Sequence, residues 1–576
     1  MNNCNIIKLS QQKEILKKAI LEYKNENFVV FNHECGSGKT ITTLKILLEL
    51  KDMKCLFVTL RNADSIDYCN QLNIQNGKDY SIAINTETTD KITFNKIKKD
   101  LNKYTVMFIS HEKYKVLSID KKQREYFTKD RGILIIDEFI DMVKGSDISL
   151  NVKYINEFET NLQERAYRNL YSQCVSEIEE YLKSDKKMQT FFNSKQNNTI
   201  ITKKINKLKT VIKQDKDIKF NISKSRILKK IDELKHFYNQ TCVVDGNTIY
   251  CTNRNIEYWK LDNNIILDAS GKLNPYEGLG FKILNQTKVL NHKQWTFNII
   301  KTNTSKSAKE RAINFYQEIN SKVDDDTLVV GNVNDEQYIE AKYKNHFGNL
   351  TGSNQYRDLK NCIICHNPNM PYKQYALEYI YYYNKKFDNR NSWSGSNQGT
   401  GDTKVFRFNE VKFEEYRQKR NVNEIYQAIK RVNRQMENDS IITIYNNDME
   451  QMERLMKMFE GDYTMNEFDN TIEFEKTKME KYNEDRKNNS HASKFITLCG
   501  DIMKLKHMDM QQEKKNRKGE YIVQEGIYKK SAISEYLKVD KKNLGKLFND
   551  KDVIDYTIRH NVIIKGQTLD FTGYII

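Results

Sequence analysis

Phe28-Val29-Val30-Phe31-Asn32-His33-Glu34-Cys35-Gly36-Ser37-Gly38-Lys39-Thr40 is the stretch on which the fold turns. Its four apolar residues are enough for a buried strand, and Ile41, Leu44, Leu47 and Leu48 follow at helical spacing. Strand, glycine loop and helix in this order form the context in which a phosphate-binding loop works. Gly36 and Gly38 let backbone N–H groups approach phosphate oxygens, and the helix N-terminus adds partial positive charge. Lys39 then stands ready for the β- and γ-phosphates and the Thr40 hydroxyl for Mg²⁺, with Ser37 inside the same loop. His33 occupies the first glycine of the longer pattern G-x-x-x-x-G-K-[ST], which leaves the shorter form G-x-G-K-T.

Upstream, Gln11–Tyr23 carries Ile15, Leu16, Ala19 and Ile20 on one helical face. Downstream, Cys55–Thr59, Val106–Ser110 and Ile133–Ile136 are apolar runs separated by helical segments. Such alternation implies a parallel sheet whose site lies at the carboxyl ends of the strands. The last run leads into Asp137-Glu138, where Asp137 suits a Mg²⁺ ligand and Glu138 a group that orients attacking water. Thr59, Arg61, Ser110 and His111 fall on the same rim and are candidates to touch a nucleic-acid backbone, although polar residues also end ordinary strands.

The chain has 576 residues, room for several domains, and 94 basic against 77 acidic side chains, a net charge of +17. A polyanion is the commonest partner of such an excess, with nucleic acid ahead of a plain solubility charge. No uncharged apolar run approaches the ~20 residues that cross a bilayer, and no apolar core precedes a cleavage site at the N-terminus. The expectation is a cytoplasmic protein without a membrane partner. Ten scattered cysteines read as free thiols in a reducing compartment.

From 151 to 238 the texture becomes Lys/Glu-rich with apolar residues at helical spacing, a helical insertion. The sheet is expected to resume with the hairpin signal Cys242–Tyr250 through Asp245-Gly246, then Ile265–Gly271. A second alternating series begins near Trp295. Cys362-x-x-Cys365-His366 has a metal or haem spacing, but the intervening isoleucines favour a buried strand. Asn391–Asp402 reads as a loop. Gln427, Arg431 and Arg434 stand at i, i+4 and i+7, one helix face that suits either a triphosphate or solvent. Near the C-terminus, Lys530–Leu537, Lys541–Phe548 and Asn561–Gln567 read as helix, turn, helix and wing. Lys541, Lys542 and Lys546 then face a groove, or the module makes protein contacts.

Taken in order, these blocks resemble superfamily 2 DEAD/DEAH-like helicases and translocases across roughly residues 5–440, and are similar to phage or mobile-element helicases. Gly36–Thr40 looks like motif I, Asp137-Glu138-Phe139-Ile140 like motif II and Asp268-Ala269-Ser270 like motif III. Thr351-Gly352-Ser353-Asn354 looks like motif V, and Gln427 to Arg434 like the Q-x-x-x-R-x-x-R form of motif VI. The resemblance implies an α/β chain with two RecA-like parallel-sheet domains, 1–150 with 239–275 and 276–450. The helical insertion 151–238, a charged helical region and linker 451–525, and a C-terminal winged-helix-like α+β module 526–576 complete it.

By the same resemblance Gln12 reads adenine and ATP and Mg²⁺ are the cofactors. Lys39, Asp137, Glu138, Gln427, Arg431 and Arg434 are catalytic, and Asp268 and Ser270 couple hydrolysis to movement. Thr351, Ser353 and Asn354 join Thr59, Arg61, Ser110 and His111 on nucleic acid, with DNA, single-stranded or forked, favoured. Replication or mobile-element proteins are the expected protein partners. Motif II departs from the family in Phe139-Ile140, so coupling is expected through Asp268, Gln427 or Arg434. Only Cys55 and Cys69 lie between Lys39 and Asp137, which argues against an iron–sulfur cluster. The implied function is an ATP-dependent helicase or translocase, and the alternative is an ATP-gated DNA-binding initiator or regulator that does not unwind.

Overall fold

The computed structural model describes residues 9–24, 27–50, 52–77, 79–184, 190–215, 222–285, 290–350, 355–387, 395–399, 404–434, 436, 438–476, 481–482, 485, 487, 490–500, 511–515, 518, 521–540 and 543–572. The chain divides into two units, Met1–Glu310 with Asn314–Ile472, and Arg311–Ile313 with Glu473–Ile576.

The larger unit holds two parallel sheets. The first is built from β1 (Val29–Asn32), β2 (Cys55–Thr59), β3 (Ser81–Ala83), β4 (Val106–Ser110), β5 (Ile133–Asp137), β10 (Asn263–Leu267) and β11 (Lys282–Asn285). Their order is β11-β1-β10-β5-β2-β4-β3, with every pairing parallel. Continuous apolar runs make these strands because both faces of the sheet are covered; Val30, Leu56, Phe57, Ile135 and Ile266 are wholly buried. The order sets β10 between β1 and β5, so the ends of three strands meet.

The second parallel sheet runs β14-β13-β15-β18-β12-β19. It contains β12 (Trp295–Ile300), β13 (Thr327–Gly331), β14 (Tyr343–His346), β15 (Asn361–Ile364), β18 (Ser440–Tyr445) and β19 (Thr464–Phe468). Two parallel sheets with helices are the RecA-like α/β architecture expected. The second domain runs past the expected boundary at 450, because β19 pairs with β12 as an edge strand. An edge strand with exposed Met465 and Phe468 lacks the apolar run that marks the central ones. Cys362 lies in β15 and Cys365 directly after it, both buried, and burial pushes the Cys365 thiol up to about 12.

The insertion differs from its expectation. It is not helical alone: β6 (Asp147–Asn151), β7 (Thr190–Phe192), β8 (Cys242–Asp245) and β9 (Thr248–Thr252) form an antiparallel sheet ordered β6-β9-β8-β7. The helices Arg165–Lys183, Asn198–Gln214 and Lys224–Glu233 pack on it through a separate core that includes Tyr171, Ile178, Ile205, Leu208 and Ile231. The Asp245-Gly246 turn exists, with Gly246 at φ +58°, but its hairpin belongs to the insertion. The first parallel sheet resumes only at Asn263. A hairpin signal is local, whereas the choice of neighbouring strand is made by distant residues.

The smaller unit has an antiparallel sheet of β20 (Gln511–Lys515), β21 (Tyr521–Lys529), β23 (Thr568–Asp570) and β22 (Ile563–Lys565) in that order. Its helices are His491–Gly500, Lys530–Tyr536, Leu544–Phe548 and Lys551–Arg559. Phe495, Ile533, Val553 and Leu569 are buried among them. Lys551–Arg559 has no counterpart in the sequence reading. Among the described residues, no helix is long and apolar enough to cross a membrane.

Candidate nucleotide-binding cleft

The loop after β1 is built as its residues require. Gly36 and Gly38 take φ of +90° and +74°, a backbone that side chains strain, and Gly38 caps the helix Lys39–Glu49. The Lys39 ammonium donates to the carbonyls of His33 at 2.9 Å and Glu34 at 3.1 Å, at the mouth of its own loop. Thr40 Oγ1 donates to both carboxylate oxygens of Asp137 at 3.1 Å. The two residues expected to share one cation are thus brought into direct contact from β5 and the loop helix. Burial, and then the neighbouring Glu138 charge, pushes the Asp137 carboxyl up to about 7, against the opposing pull of Lys39 and Thr40.

Glu138 sits at φ +71°, outside the usual range for a side-chain-bearing residue, and its N–H donates to the Leu267 carbonyl at 3.0 Å. Such a backbone costs on the order of 1–3 kcal/mol and survives where its surroundings over-determine it. The turn directs the Glu138 side chain to the cleft wall. Gln12 is fully buried and donates to Ser37 Oγ at 3.0 Å. That bond braces the loop.

Asp268-Ala269-Ser270 follows directly on β10. Asp268 is buried and accepts from Ser270 N at 2.7 Å, Asn274 Nδ2 at 2.7 Å and Tyr276 OH at 2.8 Å. Ser270 Oγ accepts from Gln427 Nε2 of the second domain at 2.7 Å. Gln427 belongs to the helix Val411–Ile429, which stops before the two arginines. One helix face was expected to carry all three. Instead Arg431 and Arg434 come from the turn that follows, where Asn433 takes φ +40°, and all three line the cleft together. Arg431 Nη2 donates to Gln427 Oε1 at 3.4 Å, and burial lowers the Arg434 guanidinium from its ordinary value. The cleft encloses about 450 Å³ between the sheets, with Gly36, Lys39, Thr40, Asp137 and Glu138 on one wall and Gln427, Arg431 and Arg434 on the other.

Residues 6–156, which include the loop and motif II, match the family described as type III restriction enzyme, res subunit. The match ends at residue 156. No curated protein gives a significant match to the chain. Among solved structures, the chain is similar to XPD in its apo form, at 15% identity over 80% of this chain and 100% of that one with a TM-score of 0.48. It is also similar to Xpd4 of S. tokodaii, at 9% identity over 80% and 99% with a TM-score of 0.47. A third is the DUF1998 helicase MrfA bound to DNA, at 11% identity over 97% and 56% with a TM-score of 0.34.

The rim residues separate into two groups. Thr59 is buried and donates to the Arg61 carbonyl at 3.0 Å. His111 is also buried, its Nε2 lies 2.8 Å from the Asp137 carbonyl, and burial lowers its pKa to about 4. Neither presents its side chain to a backbone as expected; both support the strand ends from within. Arg61 is half exposed and forked onto Asp64 at 3.1 and 2.9 Å, and Ser110 caps the following helix by accepting from Lys113 N at 3.3 Å. These two line a separate hollow of about 860 Å³ with Asn62, Thr86 and Lys113. Thr351, Ser353 and Asn354 lie outside the described residues, as do Lys541 and Lys542, while Lys546 is exposed on the short helix Leu544–Phe548. Asp64, Tyr68 and Arg357 also line the nucleotide cleft. They went unread because a polar residue in a helix or loop carries no periodic signal; Arg357 follows closely on the motif V block.

Proposed function

We propose that the chain is an ATP-dependent nucleic-acid helicase or translocase, with DNA the favoured substrate. The observation that carries this reading is the single cleft into which one sheet sends Lys39, Thr40, Asp137 and Glu138 and the other sends Gln427, Arg431 and Arg434. Phosphoryl transfer depends on positioning and on charge stabilisation, and these residues match its needs. Lys39 meets the β- and γ-phosphates and Glu138 orients the attacking water. Arg431 and Arg434 reach from the second domain to the charge that develops on the transferred phosphoryl. Thr40 and Asp137 would hold a Mg²⁺ ion, which would supply further positive charge at the phosphates. Because the site needs both domains, nucleotide binding draws them together and hydrolysis releases them. The net charge of +17 and the hollow beside Arg61, Ser110 and Lys113 suit a polyanionic strand that is moved by this cycle.

The test is ATP hydrolysis by the wild type and by Glu138→Gln, each with and without single-stranded DNA or RNA, beside strand displacement on tailed duplexes. Stimulated hydrolysis that disappears in the variant, together with ATP-dependent displacement, supports the motor. A second reading, an ATP-gated DNA-binding initiator or regulator, draws on the C-terminal order of helix, short helix, helix and two-stranded turn. Tight DNA and ATP binding with neither stimulation nor displacement supports that switch instead.

A further inference from the structure

Three residues beyond Glu138, Asp141 sits where the two domains meet away from the nucleotide. Its Oδ1 accepts from the backbone N–H groups of Val143 at 3.0 Å and Lys144 at 3.1 Å, which folds the turn that follows motif II. The same oxygen accepts from the hydroxyl of Tyr382 at 3.0 Å, and that hydroxyl in turn accepts from Met142 N at 2.9 Å. Tyr382 lies buried on the second domain's helix Tyr372–Tyr383. Phe139 packs on the same ring, with centroids 5.7 Å apart.

The other oxygen of Asp141 stands 3.7 Å from Arg420 Nη2. Arg420 Nε donates to buried Glu378 at 3.1 Å, and Glu378 also accepts from Tyr416 OH at 2.5 Å and Gln374 Nε2 at 3.0 Å. Arg420 and Gln427 share the helix Val411–Ile429, two turns apart and on one face. The chain of contacts therefore starts three residues from Glu138 and ends on the helix whose Gln427 touches Ser270. Asp141 is the member from the first domain, and its Tyr382 and Arg420 partners come from the second. A buried ionic group that loses one partner is strongly penalised, so the arrangement resists partial opening.

We propose that Asp141 is a positioning residue, whose carboxylate, held by Tyr382 and Arg420, transmits the state of motif II to the helix bearing Gln427. This rests on the ATPase reading above. It provides a tie between the domains at a motif II that ends in Phe139-Ile140.

The test is steady-state ATP hydrolysis by the full chain, with and without single-stranded DNA, for the wild type, Asp141→Asn, Asp141→Glu and Tyr382→Phe, with thermal melting beside it. Asp141→Asn is expected to keep its basal kcat and KM for ATP while losing about fivefold or more of the stimulation by DNA, the span of an ordinary coupling free energy. Asp141→Glu is expected to restore part of that loss, and Tyr382→Phe to show a smaller loss of the same kind. Should Asp141→Asn fail to fold, Tyr382→Phe, which removes only a hydroxyl, decides the matter. A stimulation ratio equal to that of the wild type in folded variants overturns the proposal, as does an equal fall in basal and stimulated rates. A wild type that hydrolyses no ATP overturns the ATPase reading itself, a result distinct from either.

Discussion

The two domains of the larger unit meet along two unlike surfaces. On the nucleotide side the contacts are few and polar: Gln427 to Ser270, Asn423 to Asn274 at 3.1 Å and the Cys35 N–H to Tyr426 OH at 3.4 Å, around an open cleft. At the tyrosine helix they are dense and include buried aromatic rings. Arg254 donates to the carbonyls of Tyr381 at 2.8 Å and Ile380 at 2.9 Å, Tyr381 OH donates to the Ile256 carbonyl, and the rings of Phe191 and Phe387 stack at 4.4 Å. Polar contacts beside solvent exchange partners cheaply, whereas buried donors and acceptors without partners cost on the order of 1–3 kcal/mol each. Motion of the cleft is therefore expected to pivot about the tyrosine helix.

The sharpest way to test this contrast is on the polar side. Lys39→Ala and Glu138→Gln should each lower kcat for ATP hydrolysis by about 100-fold or more, since the proposed mechanism puts Lys39 on the phosphates and Glu138 on the attacking water. Arg434→Ala should lower kcat about 10–100-fold with little change in KM, as expected of an interaction made in the transition state. If KM rose instead, the second domain would be binding ground-state nucleotide.

At the tyrosine helix the readout is stability. Arg254→Ala should destabilise the fold by about 1–3 kcal/mol, because it leaves two buried carbonyls unpaired, and thermal melting measures the fall. Added Mg·ATP should still raise the melting temperature of that variant, since binding to the folded state stabilises by mass action. A variant that also loses ATP-induced stabilisation would show that the two surfaces are not independent. The smallest effect is expected on the outer rim: Arg61→Ala should weaken DNA binding a few-fold and lower the salt slope by about one. Salt titration of DNA binding checks it.

How much was legible follows from range. The glycine loop, the Asp-Glu strand end and the apolar runs could be read because each is a contiguous pattern with a local physical meaning. The Arg431 and Arg434 pair was found by spacing, although the helix assumed to display it ends at Ile429. Thr59 and His111, candidates for nucleic-acid contact in the sequence, are buried; a polar residue at a strand end has the same local signature whether it caps the protein interior or meets solvent. The hairpin signal Cys242–Tyr250 belongs to the insertion's sheet and not to the first parallel sheet, since pairing with β7 and β6 depends on residues far along the chain.

The sequence by itself determined the central strands of the first parallel sheet, the loop at Lys39 and the carboxylates at Asp137 and Glu138, because strand, turn and helix preferences are set by neighbours along the chain. Only the tertiary structure decided that Gln427 reaches Ser270, that Gln12 braces the loop and that Asp141 meets Tyr382 and Arg420. Those contacts arise from the packing of elements more than a hundred residues apart, or from the burial of one side chain against another, and neither leaves a period in the sequence.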